Sequence, residues 1–219
     1  MNSSIFRKAD VFDIFAQIVD DYEDKTILDF GGNRGNLIRS SEGKIKPENY
    51  TCLDVSTEAL RLCEKENPGV STIHWDYYHE HYNPDGNPEE KFPYMPQYYD
   101  IVFANSVFTH MDICEVMLCL KTLSRYSKQI VFTYIDPNNE QFIQKFRDKY
   151  YDLYFEKKPV SYTKGKYGLL WSAFDTNYLM SRIKFTRKVE AGKTSWFNYM
   201  VVNCRDPALP VYSFTPWYV

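Results

Sequence analysis

Thr26-Ile-Leu-Asp-Phe-Gly-Gly-Asn-Arg-Gly-Asn-Leu-Ile38 runs from an apolar segment through glycines and back to apolar residues. Ile27, Leu28 and Phe30 fit a short buried strand, with Asp29 near its end. Gly31, Gly32 and Gly35 then break the strand before the apolar run that starts at Leu37. A strand that ends in glycines and leads into a helix leaves a bare turn whose amide N–H groups face outward, so a bulky ligand can approach the backbone closely.

The spacing narrows the ligand. A dinucleotide fingerprint, G-x-G-x-x-G, counted from Gly31 needs glycine where Asn33 and Asn36 stand, and no Gly-Lys-Ser/Thr follows to make a P-loop. The pattern present is Asp29-x-Gly31-x-x-x-Gly35. It resembles the first motif of the class I S-adenosylmethionine-dependent methyltransferases, with Asn33 in place of the middle one of three alternating glycines. Asn tolerates a left-handed backbone better than most residues, so the departure is mild.

Length and composition set the frame. A chain of 219 residues supports one sizeable core, and 44% hydrophobic with 25% charged residues is ordinary for a globular protein. A single domain over 1–219 is expected, with insertions at about 77–98 and 137–175. The net charge of −3 provides no basic field for nucleic acid. Neither a signal-peptide core nor 18 consecutive apolar residues is present, so no membrane partner is expected and a cytoplasmic location is the default. The five cysteines contain no C-x-x-C pair and read as small buried hydrophobes in a reducing compartment. Aromatics reach 17%, a surplus that suits a pocket, an interface (a homo-oligomer included) or core filling equally.

Along the chain, a helix is expected over residues 4–21, then strands at 25–30, 50–55, 70–75, 99–104 and 128–135. Helices at about 56–66 and 112–125 alternate with them. This cadence predicts an α/β fold with a doubly wound, mostly parallel sheet. Helices over 138–155 and 175–181, then strands near 183–190 and 196–204 around Gly192-Lys193-Thr194, close the chain. The resemblance implies seven strands with the last one antiparallel.

Strand ends carry the candidate site. By resemblance, Asp29 and the Gly31, Gly32, Asn33 and Gly35 backbone lie by the amino-acid part of S-adenosylmethionine, with Asp29 a partner for its ammonium, directly or through water. Asp54, followed by Val55, ends the second strand where an acid can accept both ribose hydroxyls; it can equally be a cap acid before Ser56. Asp76 is implied to accept the adenine amino group beside Tyr77, and Trp75 is either an adenine wall or core. Asn105 and Ser106 stand at the crossing point where ligands sit in doubly wound sheets. The product would be S-adenosylhomocysteine.

His110 is the general-base candidate, or a helix-start histidine bonded to backbone. His79-Glu-His81 reads as a solvated loop rather than a metal site. Asp136-Pro-Asn138 resembles the magnesium-binding pair of catechol-type O-methyltransferases, but Asn105 replaces their partner acid, so no metal is expected. Tyr78, Tyr82, Tyr162, Tyr167, Trp171 and Phe174 fall in the two insertions and are candidates for an acceptor pocket or lid, or for packing the insertions onto the sheet. The resemblance implies methyl transfer to an oxygen or nitrogen of a small molecule. A scaffold or activator that keeps the fold without turnover is the alternative, and the Asn/Asp-Pro-Pro-Tyr/Phe signature of base-flipping enzymes is absent after the fourth strand.

Overall fold

In the computed structural model, residues 11–140, 143–144, 154–165, 169–183, 186–189 and 198–204 are described. Alternation within the first strand decides the layering. In β1 (Ile27–Phe30), Ile27 joins one core and Leu28 and Phe30 join the other. β4 (Tyr99–Ala104) repeats the division, with Ile101 and Phe103 on the first side and Val102 and Ala104 on the second. Such strands are apolar on both faces, which a sheet tolerates only when helices cover both.

Seven strands form the sheet, in the order β3-β2-β1-β4-β5-β9-β8. β2 (Tyr50–Asp54), β3 (Ser71–His74) and β5 (Ser127–Tyr134) run parallel to β1 and β4, whereas β9 (Asn198–Asn203) is antiparallel to both β5 and β8 (Thr186–Val189). The expected doubly wound, seven-stranded sheet with an antiparallel last strand is therefore observed. The turn expected at Gly192-Lys193-Thr194 lies outside the described residues.

Helices cover the two faces. α1 (Val11–Ile18), α2 (Asn36–Ser40) and α3 (Thr57–Glu66) bury Phe15, Leu37 and Leu60 against Ile27 and Phe103. α4 (Ile113–Leu123) buries Val116 and Leu120 against Val102 and Phe132. Each such fully buried side chain contributes about 1.5–3 kcal/mol. α1 stops at Ile18, three residues before the expected end. Asp20 and Asp21 follow it, where acids oppose the helix dipole, and Asp21 turns left-handed at φ 51°. The first part of that expected helix, residues 4–10, is outside the described residues.

Local signals account for the other helix starts. Ser56 caps α3 by accepting from the Ala59 N–H at 3.2 Å. Asp112 and Glu115 form a reciprocal capping box at the start of α4. Asp175 accepts from the Tyr178 N–H at 2.7 Å and starts α5 (Thr176–Arg182). Of the helix expected over 138–155, only Ile143 and Gln144 are described in helical form.

The second insertion contains an element that periodicity did not reveal. β6 (Val160–Lys164) and β7 (Leu170–Phe174) pair as a separate antiparallel hairpin, bridged to the sheet through Ile135 and Ala173. Among the cysteines, Cys52, Cys63 and Cys119 are buried, but Cys114 is exposed in the first turn of α4, contrary to expectation. Among the described residues, no helix is long and apolar enough to cross a membrane.

Candidate functional site

β1 has β2 on one side and β4 on the other, so the chain leaves β1 in one direction and returns past it in the other. The crevice at such a reversal, beyond the carboxyl ends of the strands, is where doubly wound sheets bind ligands. A cavity of about 290 Å³ lies there. Gly31, Asn33, Asp54, Val55, Asn105 and Ser106 line one part of it. Tyr77, Tyr78, His79, Tyr82, His110 and Glu115 are among its other lining residues.

The glycine turn is shaped by its neighbours. The Gly31 N–H donates to the Leu53 carbonyl at 2.7 Å, which folds the loop over the end of β2. Gly31 (φ 71°) and Gly35 (φ 71°) are left-handed, and so is Asn33 (φ 53°), in the conformation expected of it. A Cβ at Gly31 would stand 2.4 Å from Cγ2 of Val107, which faces the loop from beyond β4. Only a bare backbone lets these two sides of the crevice approach.

Asp54 meets both of its readings. One carboxylate oxygen accepts from the Ser56 N–H at 2.9 Å, the other from the Asn33 N–H at 2.8 Å, and the residue lines the cavity. Burial raises its carboxyl above the ordinary range, and the N–H donors pull it part of the way back. The turn that it caps is thus the turn that carries it to the cavity. Ser106, at the end of β4, is left-handed at φ 61° and donates its N–H to the Thr133 hydroxyl at 2.6 Å. Strain of about 1–3 kcal/mol in a residue of this kind collects at binding sites. Asn105 accepts from the Tyr199 hydroxyl at 3.2 Å.

Asp29 does not reach the cavity. Its side chain is buried on the opposite face of β1, where it accepts from the Tyr50 hydroxyl, and it lies beneath Gly32, whose Cβ would stand 2.8 Å from its carboxyl. Loss of hydration pushes its carboxyl up to about 7, against the hydrogen bond from Tyr50. Its alternation with Leu28 and Phe30 aims it away from the ligand side, so the direct contact expected of it is corrected. Gly32 and Gly35 also stay out of the lining and set the shape of the loop. Asp76 is outside as well: it accepts from the Asn83 side-chain amide at 3.1 Å and pins the first insertion. Trp75 is both core and wall, buried against Phe30 and stacked on Tyr77 at 4.8 Å while lining the cavity.

The aromatics of the two insertions divide. Tyr78 and Tyr82, from the first, line the cavity. The described ones of the second stay out of its lining. Phe174 is fully buried in the core shared with Phe132 and Met200, a correction to its expected place in the pocket. The Tyr162 hydroxyl accepts from the Ile113 N–H at 3.0 Å, outside the lining. Trp171 is buried, with its ring 4.3 Å from that of His110. Tyr167 lies outside the described residues. The same hairpin holds the turn at Phe108–His110 by its backbone. Ser172 donates to the Met111 carbonyl at 2.6 Å, and the Leu170 carbonyl accepts from His110 Nδ1 at 2.8 Å.

His110 is therefore bonded to backbone and also faces the cavity. Because Nδ1 must donate to a carbonyl, Nε2 carries the lone pair. Burial lowers the imidazole to about 4, so it is neutral at pH 7. His79, expected on a solvated loop, is half-buried and lines the cavity instead. Glu115, Met111, Val107 and Asn36 are lining residues that the sequence reading missed. Glu115 had one visible signal, its place three residues after Asp112, but that spacing announces a helix cap. Its contact with Tyr77, whose hydroxyl donates to it at 3.0 Å, depends on packing between distant segments.

Asp136, whose surroundings suggested a comparison with magnesium sites, accepts from the Thr176 hydroxyl at 2.5 Å and from the Asn138 N–H at 2.9 Å. Among the described residues, no group of three His, Cys, Asp or Glu side chains is placed to hold a metal ion.

Seven strands in this order, with the crevice beside β1, define the fold of the class I S-adenosylmethionine-dependent methyltransferases. No protein-family model matches the chain. Among solved structures, it is similar to a protein from Nostoc punctiforme PCC 73102 assigned as an O-methyltransferase. That match has 12% identity and a TM-score of 0.56, and covers 87% of this chain and 55% of the other. It is also similar to an S-adenosylmethionine-dependent methyltransferase from Methanosarcina mazei, at 18% identity with a TM-score of 0.50, covering 89% of this chain and 96% of that one. At these identities the likeness is one of fold.

Proposed function

We propose that this protein is an S-adenosylmethionine-dependent methyltransferase that methylates an oxygen or nitrogen of a small molecule. The observation that carries the reading is Asp54 at the end of β2. Each oxygen of its carboxylate is oriented by one backbone N–H, and the residue lines the cavity beside the bare backbone of Gly31. A carboxylate oxygen has more than one acceptor site, so two adjacent ribose hydroxyls can still donate to it.

The remaining groups fit the rest of the ligand. Gly31 and Asn33 offer backbone toward the amino-acid end, Val55 and Trp75 offer apolar walls to the adenine, and Asn105 and Ser106 stand between. When bound, S-adenosylmethionine supplies a methyl group activated by cationic sulfur. The chain then has to hold the acceptor in line and keep water out. Tyr78 and Tyr82 line the cavity and suit a cover over the acceptor, and the Nε2 lone pair of His110 suits a proton acceptor. The acidic net charge of −3 favours a small acceptor over nucleic acid.

Calorimetric titration of S-adenosylmethionine and S-adenosylhomocysteine against wild type and Asp54→Ala tests the reading. Micromolar binding by wild type, weakened at least tenfold in the variant, is expected. Absence of binding by wild type overturns the function and leaves the fold standing.

A further inference from the structure

Two histidines from segments some thirty residues apart line the same cavity, and their backbone partners fix opposite tautomers. His79 Nδ1 stands 3.1 Å from the His81 N–H and 3.2 Å from the Tyr82 N–H. Both partners are donors, so Nδ1 accepts and the proton resides on Nε2. His110 is the reverse: its Nδ1 stands 2.8 Å from the Leu170 carbonyl, which can only accept, so the proton resides on Nδ1 and Nε2 carries the lone pair. Among the described residues, no protein hydrogen bond is recorded at either Nε2. Tyr82 packs against both rings, with centroids 4.7 Å from His79 and 6.4 Å from His110.

From this pairing we infer that the methyl acceptor is a hydroxyl group on a small aromatic molecule that also carries a second oxygen. The hydroxyl proton goes to His110 Nε2, and the second oxygen accepts from His79 Nε2–H. The inference rests on the methyltransferase reading and narrows its acceptor from oxygen or nitrogen to oxygen.

Protonation chemistry favours oxygen. An amine attacks through a lone pair that is free whenever the amine is neutral, and it needs no base in the cavity. A hydroxyl becomes a strong nucleophile only as its proton leaves, and cavity-lining His110, whose Nδ1 is committed to the Leu170 carbonyl, keeps its Nε2 lone pair to take that proton. A carboxylate would set its own lone pairs against that of His110. In the step, the acceptor oxygen forms the new bond to the methyl carbon as the carbon–sulfur bond breaks. The bonding pair stays on sulfur, giving the neutral thioether, and the hydroxyl proton passes to Nε2, giving the imidazolium. Burial lowers both imidazoles, with neighbouring His81 adding to the effect at His79, so the neutral tautomers hold at pH 7. The aromatic body is matched by Tyr78 and Tyr82, large rings left about 40% exposed.

Nitrogen-15 NMR of the imidazoles in the full chain at pH 7 tests the pairing without any ligand. His79 is expected protonated at Nε2 and His110 at Nδ1; the same tautomer at both, or an imidazolium at either, overturns the proposal. Titration with 2-, 3- and 4-methoxyphenol in the presence of S-adenosylhomocysteine follows. At least one should shift both Nε2 signals, whereas methoxybenzene should leave His110 Nε2 in place.

Asn reproduces the Nδ1 half of either ring, accepting as His79 does or donating as His110 does, but it cannot reach with an Nε2. His110→Asn should reduce methylation of the responsive phenol at least 100-fold with its affinity changed less than threefold. His79→Asn should weaken binding of that phenol about tenfold. Binding or methylation of methoxyanilines in preference to all three methoxyphenols overturns the proposal. The underlying reading fails separately, through loss of S-adenosylhomocysteine binding in wild type.

Discussion

Asp29 shows what one position can hide. As the acid of the glycine motif it looks like a ligand contact, yet its carboxylate is buried under Gly32 with Tyr50 as its donor. Its carboxyl lies at about 7, against an ordinary 3.8, because burial disfavours the charge. The folded state therefore keeps its proton at a pH where the unfolded chain has released it. Unfolding releases a proton, and stability falls as pH rises from about 4 to about 7. Asp29→Asn keeps an acceptor for Tyr50 and removes the titration. Denaturant midpoints at pH 5 and pH 8 should show the wild-type loss shrinking in the variant by on the order of 3 kcal/mol. Buried Asp54, raised in the same direction, leaves a residual slope. Equal slopes in the two proteins would mean that Asp29 is ionised throughout.

The glycine turn and the β6–β7 hairpin are the elements that shape the cavity. Gly31 has two independent reasons to be glycine, a left-handed φ of 71° and the Val107 side chain 2.4 Å from where a Cβ would stand. Gly31→Ala should cost about 1–3 kcal/mol in stability and at least tenfold in S-adenosylhomocysteine affinity. Adding Val107→Ala relieves the steric part alone, so the double variant should recover some stability but not all of it, read by thermal melts in a double-mutant cycle. Full recovery would show that the backbone conformation carries no strain. The turn was legible because glycine spacing is a local property of the chain. The hairpin was not, since it holds the cavity wall through Leu170 and Ser172, whose roles are carried by a backbone carbonyl and a hydroxyl bonded to backbone.

At the scale of the whole molecule, the sheet separates two large hydrophobic cores, one on each face. Phe103 is fully buried in β4 and meets Phe15 of α1 edge to face, at 5.2 Å and 81°. Phe103→Ala should cost about 3–5 kcal/mol. Chemical denaturation followed by fluorescence and by circular dichroism should show one shifted, coincident transition. A loss below about 1 kcal/mol would mean that α1 closes over the vacancy.

The sequence by itself determined the strand–helix cadence, the turn at Gly31–Gly35, the caps at Ser56 and Asp175, and Asp54, Asn105 and Ser106 at their strand ends. These depend on residue alternation, on φ preference or on neighbours within a few positions, all written locally in the chain. Only the tertiary structure decided that Asp29 faces away from the cavity, that Phe174 belongs to the core, and that Glu115 and His79 line the cavity. It also decided which nitrogen of each cavity histidine holds the proton. The His110 tautomer follows from the Leu170 carbonyl, a partner sixty residues away, and Phe174 is buried by packing between distant segments. Hydrophobic pattern records that a residue will be covered, and only the assembled fold supplies what covers it.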